Sequence, residues 1–325
     1  MKQFLPALTA FFVFCTSLLC GCHPNASASV NGFYFDTVVT VTLYGKDAAR
    51  ADSLSLGIHE QMQTYENLFS RTKEGSDIWR INHSNGTPVC VNSETALLLD
   101  KALSYSRLSK GLVDPSVGAL SSLWNFGHNE DQLIPEDAQI TDALSHVNYE
   151  NILLNGNEVT LKDPSMTLDL GFIAKGYIAD RLKSYLLEKD VESALINLGG
   201  NVLALSQKPG NRPFQVGIKR PFDDSGKPLL VLPVNDYSVV TSGNYERYFI
   251  IDDVLYHHIL STQTGYPADS DLSQVTILSK DSVDGDALST LCFLLGYEKA
   301  TSLIESLPDT EAIFVLSDGS IHQTY

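Results

Sequence analysis

The spacing of apolar positions along this 325-residue chain switches repeatedly between period two and period three to four, and the switches outline its elements. The stretch "FYFDTVVTVTLYG", 33–45, alternates and is rich in β-branched residues, which predicts a strand. A helix is expected next, over about Asp47 to Ser70, ending in the charged "RTKEG". Another should run through "SETALLLDKALSYSRLSKG", capped near Ser93 and closed at Gly111. "PEDAQITDALSHV" opens with Pro135 and predicts a third. "NILLNGNEVTLKD" reads as a hairpin turning at Asn155–Gly156. "MTLDLGFIAKGYIADRLKSYLLEKD" reads as a strand running into an amphipathic helix. Two strands broken at Gly199–Gly200 should follow, with more at Phe214–Lys219, Leu229–Val234 and Tyr237–Thr241. A hairpin around Asp252–Asp253, a strand at 273–279, a helix from Asp284 and a last hairpin at "SDGS" complete the pattern. Strand runs, hairpins and interspersed helices predict an α+β fold with mixed, largely antiparallel sheets, built as one large domain or two subdomains.

The first residues depart from this pattern. After Lys2, Phe4 to Leu19 is an apolar run with mild interruptions, too short for a membrane span and ended by Gly21, which reads as an export signal. Its end, "LCGC", resembles a lipobox, with Cys22 as the lipidated residue. Residues 1–21 are then a signal peptide, 22–32 a lipidated cysteine and polar linker, and 33–325 the folded body. Such a chain is expected on the extracytoplasmic face of a bacterial membrane, held by lipid. Charge narrows the partners further. Against 39 Asp plus Glu stand 22 Lys plus Arg, and no basic cluster appears, which disfavours nucleic acid. Cys90 and Cys292 could pair in an oxidising compartment, but Cys292 sits in an apolar stripe, which favours a buried thiol.

The stretch "DGDALSTLCFLLG", 284–296, raises the sharpest question of chemistry. Leu288, Leu291, Cys292 and Leu295 recur at helical spacing, yet the helix opens on two carboxylates. An aspartate at a helix start caps free N–H groups. That covers one of them. Asp286 and Thr290, at i and i+4, stack two oxygens on one face, a pair able to hold Mg²⁺ or Ca²⁺. Other stretches are individually ordinary. "LDLGFIAKGYIAD" places Lys175 near a helix N-terminus, where anions are attracted. "TSGNYERYF" offers Thr241 and Ser242 at a strand end. His257 and His258 are adjacent on a strand, so only one can face a given pocket. Asp114, in "GLVDPSVGAL", reads as a cap.

Taken in order, "FDTVVTVTLYG", "GLVDPSVGAL", "LDLGFIAKGYIAD", "ALINLGGN", "VGIKRP", "VVTSGNYER", "HHILSTQTG" and "DGDALSTL" resemble the FAD:protein FMN transferase (ApbE) family, from about residue 33 to the last helices. The resemblance implies a Mg²⁺-dependent enzyme that cleaves FAD, transfers FMN to a Thr or Ser hydroxyl of an extracytoplasmic acceptor protein, and releases AMP. It implies Asp286, Thr290 and the Ala174 carbonyl as metal ligands, with Asp286 counted among the catalytic residues. Asp114, Lys175, Thr241, Ser242 and His258 are implied at the flavin nucleotide. Asp114 goes to the nucleotide and Lys175 with Thr241 to the pyrophosphate, while His258 deprotonates the acceptor hydroxyl or positions FAD. Two other readings share the site: a FAD pyrophosphatase giving FMN and AMP, and a non-enzymatic flavin-carrying lipoprotein. The chain departs from the family at Phe35-Asp36-Thr37, where many members have Met-Gly-Thr. It also departs at Ser261-Thr262, where Asp-Pro is usual, and at Ser116 in "DPS".

Overall fold

The computed structural model describes residues 26–127, 133–223 and 225–325. Along the chain come strands β1 (Ser27–Tyr34) and β2 (Thr37–Tyr44), then helices α1 (Ala51–Phe69) and α2 (Asp77–Asn82). Strand β3 (Val89–Cys90) precedes α3 (Ser93–Ser109), α4 (Gly118–Trp124) and α5 (Asp137–Ser145). The hairpin β4 (Ile152–Asn155) and β5 (Glu158–Leu161) leads to α6 (Ala174–Glu188). Strands β6 (Ala194–Leu198), β7 (Asn201–Leu205), β8 (Phe214–Lys219), β9 (Pro228–Val234) and β10 (Ser238–Gly243) follow. The hairpin β11 (Tyr248–Ile251) and β12 (Val254–His257) comes next, then β13 (Leu272–Ser279). Helices α7 (Ser282–Leu295) and α8 (Tyr297–Glu305) and strands β14 (Glu311–Leu316) and β15 (Ile321–Gln323) end the chain.

Eight strands form the main sheet in the order β1-β2-β6-β7-β10-β13-β14-β15, every neighbouring pair antiparallel. The fold is α+β, as the pattern predicts. Alternation sets its faces. Val39, Val41 and Leu43 of β2 meet Ile196 and Leu198 of β6 in one buried layer, covered by helix positions at i, i+4 spacing: Leu54, Ile58 and Met62 of α1, and Ile178, Leu182 and Leu186 of α6. A second apolar cluster lies where the β8–β9 hairpin places Phe214, Val216 and Leu232 against Ala204, Val239 and Ile313 of the sheet. A third joins Leu120 and Trp124 of α4, Ile140 of α5, Phe249 and Leu260.

Several expectations need correction. The strand at 33–45 is a hairpin, β1–β2, turning on Phe35 and Asp36, which both have positive φ (52° and 56°), the geometry of a tight two-residue hairpin turn. The turn lies where the chain departs from Met-Gly-Thr. The polar stretch taken as linker to residue 32 is strand from Ser27 onward; an edge strand needs ladder hydrogen bonds more than apolar side chains, so composition hides it. "MTLDL" is extended but pairs only through a single bridge, Val117 with Thr167, because its other backbone groups bond to Pro115 and to the Asn82 side chain. The apolar pattern does not predict the short helices α2, α4 and α8. Cys22 and the export signal lie outside the described residues. Cys90 is exposed and Cys292 buried, both free, and burial pushes the Cys292 thiol up to about 12.

Candidate active site

Four elements meet at the site: the start of α6, the first half of α7, the end of β10 and the base of the β11–β12 hairpin. The contact between α6 and α7 is unusually close because Gly176 has no side chain. A Cβ there would stand 2.2 Å from the Ser282 carbonyl oxygen and 2.7 Å from Asp286 Cβ. Gly285 does the same for α7 over the sheet, where a Cβ would meet Ser279 Oγ at 2.7 Å and Val240 Cγ2 at 3.0 Å. These glycines bring the metal-type pair down onto the α6 N-terminus and β10.

Asp286 is 3% exposed. Its Oδ2 accepts from the Gly176 N–H at 2.8 Å, while Oδ1 faces Lys175 Nζ at a long 3.9 Å. One carboxylate oxygen therefore stabilises the free end of α6, and the other is only loosely paired. Thr290, one turn on, lies 3.3 Å from Ser242 Oγ, which also bonds Ser289 Oγ at 2.7 Å. Ala174, whose carbonyl the family pattern singles out, is the first residue of α6, beside Lys175 and Gly176. Carboxylate, hydroxyl and carbonyl oxygens suit Mg²⁺, which keeps water and takes phosphate as its remaining ligands. Among the described residues no three His, Cys, Asp or Glu side chains cluster as a metal cage would. The donor set fits a hard cation shared with a phosphate.

Strand alternation separates Thr241 from Ser242. Ser242 points to α7; Thr241 stands opposite Thr276 and shares a 2.8 Å hydroxyl–hydroxyl bond with it, on the other face of the sheet. The structure therefore does not bring the Thr241 side chain to Lys175, and Ser242 is the hydroxyl that reaches the Asp286–Thr290 face. Asp114 is likewise committed. It is 4% exposed, with Oδ1 accepting from the Ser116 N–H and hydroxyl at 2.8 and 2.6 Å, and Oδ2 from the Tyr149 N–H at 2.8 Å. It orders its own loop, and Ser116 passes the bond on by accepting from the Asn148 N–H.

The two histidines divide as strand geometry requires. His257 donates from Nε2 to the Ala268 carbonyl and accepts the Ile259 N–H at Nδ1, and burial pushes its pKa down to about 4. It is a structural residue. His258 keeps some exposure, but its Nδ1 is buried without a hydrogen-bond partner. Desolvation first, then the positive charges of Arg247 and Lys175, push its pKa down to about 3. Arg247 is held beside it by the bond from the His258 N–H to the Arg247 carbonyl. The site thus collects two cations and a neutral imidazole near the Asp286–Thr290 face. Arg247 escaped sequence reasoning; its signal was its place in "TSGNYER", opposite His258 in the hairpin register.

Beyond His258 the loop 261–269 lines an open cavity of about 470 Å³ together with Leu112 and Leu294. Leu294 follows Asp286 and Thr290 at the next i+4 step, so the cavity continues along the same face of α7. Ser261, where Asp is usual, accepts the Gln263 and Thr264 N–H groups, as an aspartate would. Thr262 anchors the loop through the Gly111 carbonyl at 2.7 Å.

The ApbE family model matches residues 35–314. The chain belongs to the ApbE family. Among ApbE relatives, the FAD:protein FMN transferase of Treponema pallidum (strain Nichols) is 36% identical over 302 residues, covering 88% of this chain and 83% of the relative. The enzyme of the same name from Klebsiella pneumoniae (strain 342) is 37% identical over 300 residues, covering 91% and 92%. The crystal structure of the ApbE protein from Thermotoga maritima superposes with a TM-score of 0.84 at 32% identity, over 92% of this chain and 97% of that one. The flavin transferase ApbE from Vibrio cholerae shares the fold, with a TM-score of 0.83 over the same shares of the two chains.

Proposed function

We propose that this chain is a FAD:protein FMN transferase whose diphosphate site lies between the α6 N-terminus and the Asp286–Thr290 face of α7. The observation that carries this reading is the convergence of Asp286, Thr290, Ser242 and Lys175, with His258 and Arg247 alongside, in a chain at least 36% identical to two enzymes of that name. Asp286, Thr290 and the Ala174 carbonyl would hold Mg²⁺. When bound, the cation draws charge from the phosphoryl oxygens and orients them for in-line attack. Lys175 and Arg247 add positive charge on the His258 side, which suits a bridging diphosphate. The cavity beside loop 261–269 takes one ring system of the extended dinucleotide; its volume falls within the usual range for small-molecule sites.

The reaction joins the hydroxyl oxygen of an acceptor Thr or Ser to the phosphorus on the FMN side, breaks the phosphoanhydride bond, and releases AMP. One proton leaves the hydroxyl. His258 is its acceptor, being neutral at pH 7. Burial is the main cause of its low pKa; the smaller part due to Arg247 and Lys175 is offset once an anionic diphosphate lies between them, which raises the basicity of the imidazole. The lipobox-like "LCGC" supports placing the protein on the extracytoplasmic face of the membrane, anchored at Cys22.

The test incubates residues 26–325 with FAD and Mg²⁺, with and without a folded acceptor domain, and measures AMP and free FMN. AMP formed only with acceptor, without matching free FMN, is the expected result. Equal AMP and free FMN in both samples would make the protein a pyrophosphatase. FAD recovered intact in both would make it a carrier.

A further inference from the structure

Helices α6 and α7 cap each other. Asp286, on α7, accepts the Gly176 N–H in the first turn of α6 at 2.8 Å. In return Asp180, two turns into the 15-residue α6, accepts the N–H groups of Ser282 and Val283, the first two residues of α7, at 2.9 Å each. Each helix supplies a carboxylate to the free N–H groups, and the positive dipole end, of the other. The residue at the ordinary capping position of α7, Asp281, makes no side-chain cap bond. A remote residue does what a local one usually does. The same first turn is tied to the sheet: Ser282 Oγ donates to Asn201 Oδ1 at 2.7 Å and accepts from Ser238 Oγ at 2.8 Å, all three side chains buried.

We propose that Asp180 is a positioning residue for the transfer reaction, fixing the depth at which Asp286 and Thr290 stand against the Ala174 carbonyl and Lys175. A local cap would satisfy the end of α7 without tying it to α6. The two exchanged carboxylates run in opposite directions across the contact, so a shift of one residue, about 1.5 Å along the axis, breaks the Asp180 and Asp286 bonds together. The proposal rests on reading Asp286, Thr290 and Ala174 as the metal ligands. Asp180 itself touches none of the three. Burial pushes Asp180 up to about 6, with Asp281 adding to the shift and the two N–H groups and Lys183 opposing it. At neutral pH it is the carboxylate, with both oxygens free to accept.

The test follows FAD binding to residues 26–325 by flavin fluorescence while Mg²⁺ is titrated, without acceptor, in the wild type, Asp180→Asn and Asp286→Ala. Asp180→Asn keeps the size of the side chain but accepts through one oxygen only. With a native circular dichroism spectrum, it is expected to raise the Mg²⁺ midpoint about tenfold, the size of effect seen when groups supporting metal ligands are removed. Asp286→Ala is expected to lose the Mg²⁺ dependence. A second comparison needs no substitution: the wild type at about pH 5, where Asp180 is mostly protonated, should show a raised midpoint relative to pH 7.5. An unchanged midpoint in a folded Asp180→Asn, with Asp286→Ala defective, overturns the positioning role alone. If Asp180→Asn does not fold, an unchanged wild-type midpoint at pH 5 overturns it. Mg²⁺ dependence that survives in Asp286→Ala overturns the ligand reading, and the Asp180 role with it.

Discussion

His258 shows how placement separates chemically identical residues. His257 and His258 differ by one strand position, so one ring is locked into the fold by two hydrogen bonds while the other keeps an unpartnered nitrogen beside Lys175 and Arg247. Replacing His258 by alanine is expected to slow transfer about 10²–10⁴-fold, the usual worth of a general base, with FAD affinity within a few-fold of wild type. Single-turnover AMP release and flavin fluorescence titration check the two halves. A large loss of FAD affinity with unchanged turnover would make His258 a binding residue instead. At this scale the sequence was partly legible. The i, i+4 pair Asp286–Thr290 could be read from helical spacing, because both residues belong to one helix. The partners of Asp286 and Ser282 could not, since Gly176 lies 110 positions from the first and Asp180 102 positions from the second. Thr241 and Ser242 look equivalent in the sequence. Only the register of β10 against β13 shows that their hydroxyls face opposite ways.

Among the elements, the α6–α7 crossing brings the proposed site together, and Gly176 is the residue that permits the close contact. Gly176→Ala places a Cβ against the Ser282 carbonyl and the Asp286 Cβ, both fixed by their own helix. A loss of about 1–3 kcal/mol in urea unfolding is expected, as for overpacking elsewhere, with transfer activity falling further than stability does. A variant as stable and active as wild type would mean the helices can separate without disturbing the site. Element type was easiest to read where side chains face a core: α1, α3, the β4–β5 hairpin and the β11–β12 hairpin all follow their apolar period. It failed where backbone bonding decides. Strand β1 is polar because it is an edge, and "MTLDL" alternates like a strand while its N–H and C=O groups bond elsewhere.

The whole molecule carries a pH dependence set by its buried titratable groups. His257 and His258, at 6.5 when free, are pushed down to about 4 and about 3 in the folded chain. Below about pH 6.5 the unfolded chain binds protons that the folded chain refuses, so stability falls as pH drops from there toward 4. Asp180 runs the other way. Its pKa is raised from 3.8 to about 6, so its contribution to stability declines as pH rises from about 4 to 6 and is level above. Burial also raises the Asp114 carboxyl, which acts in the same direction as Asp180, but the two histidines are shifted over a wider window that reaches up to pH 6.5, and the urea midpoint should fall on acidification from pH 7. His257→Gln, which keeps a donor for Ala268, should flatten the slope; equal midpoints at pH 4.5 and 7 in the wild type would contradict the assignment. At this scale the α+β class was legible from the alternation of periods. The all-antiparallel order of the eight-stranded sheet was not, because pairing partners far apart in the chain leave no local signal.

The most direct test of the central claim, that the Asp286–Thr290 face of α7 drives FMN transfer, is the intact mass of an acceptor domain after incubation with FAD and Mg²⁺, comparing wild type with Asp286→Ala. A mass increase of one FMN per acceptor with the wild type, matched by AMP and reduced about 10²-fold or more in Asp286→Ala, is the predicted result. Equal labelling by the two proteins would contradict it.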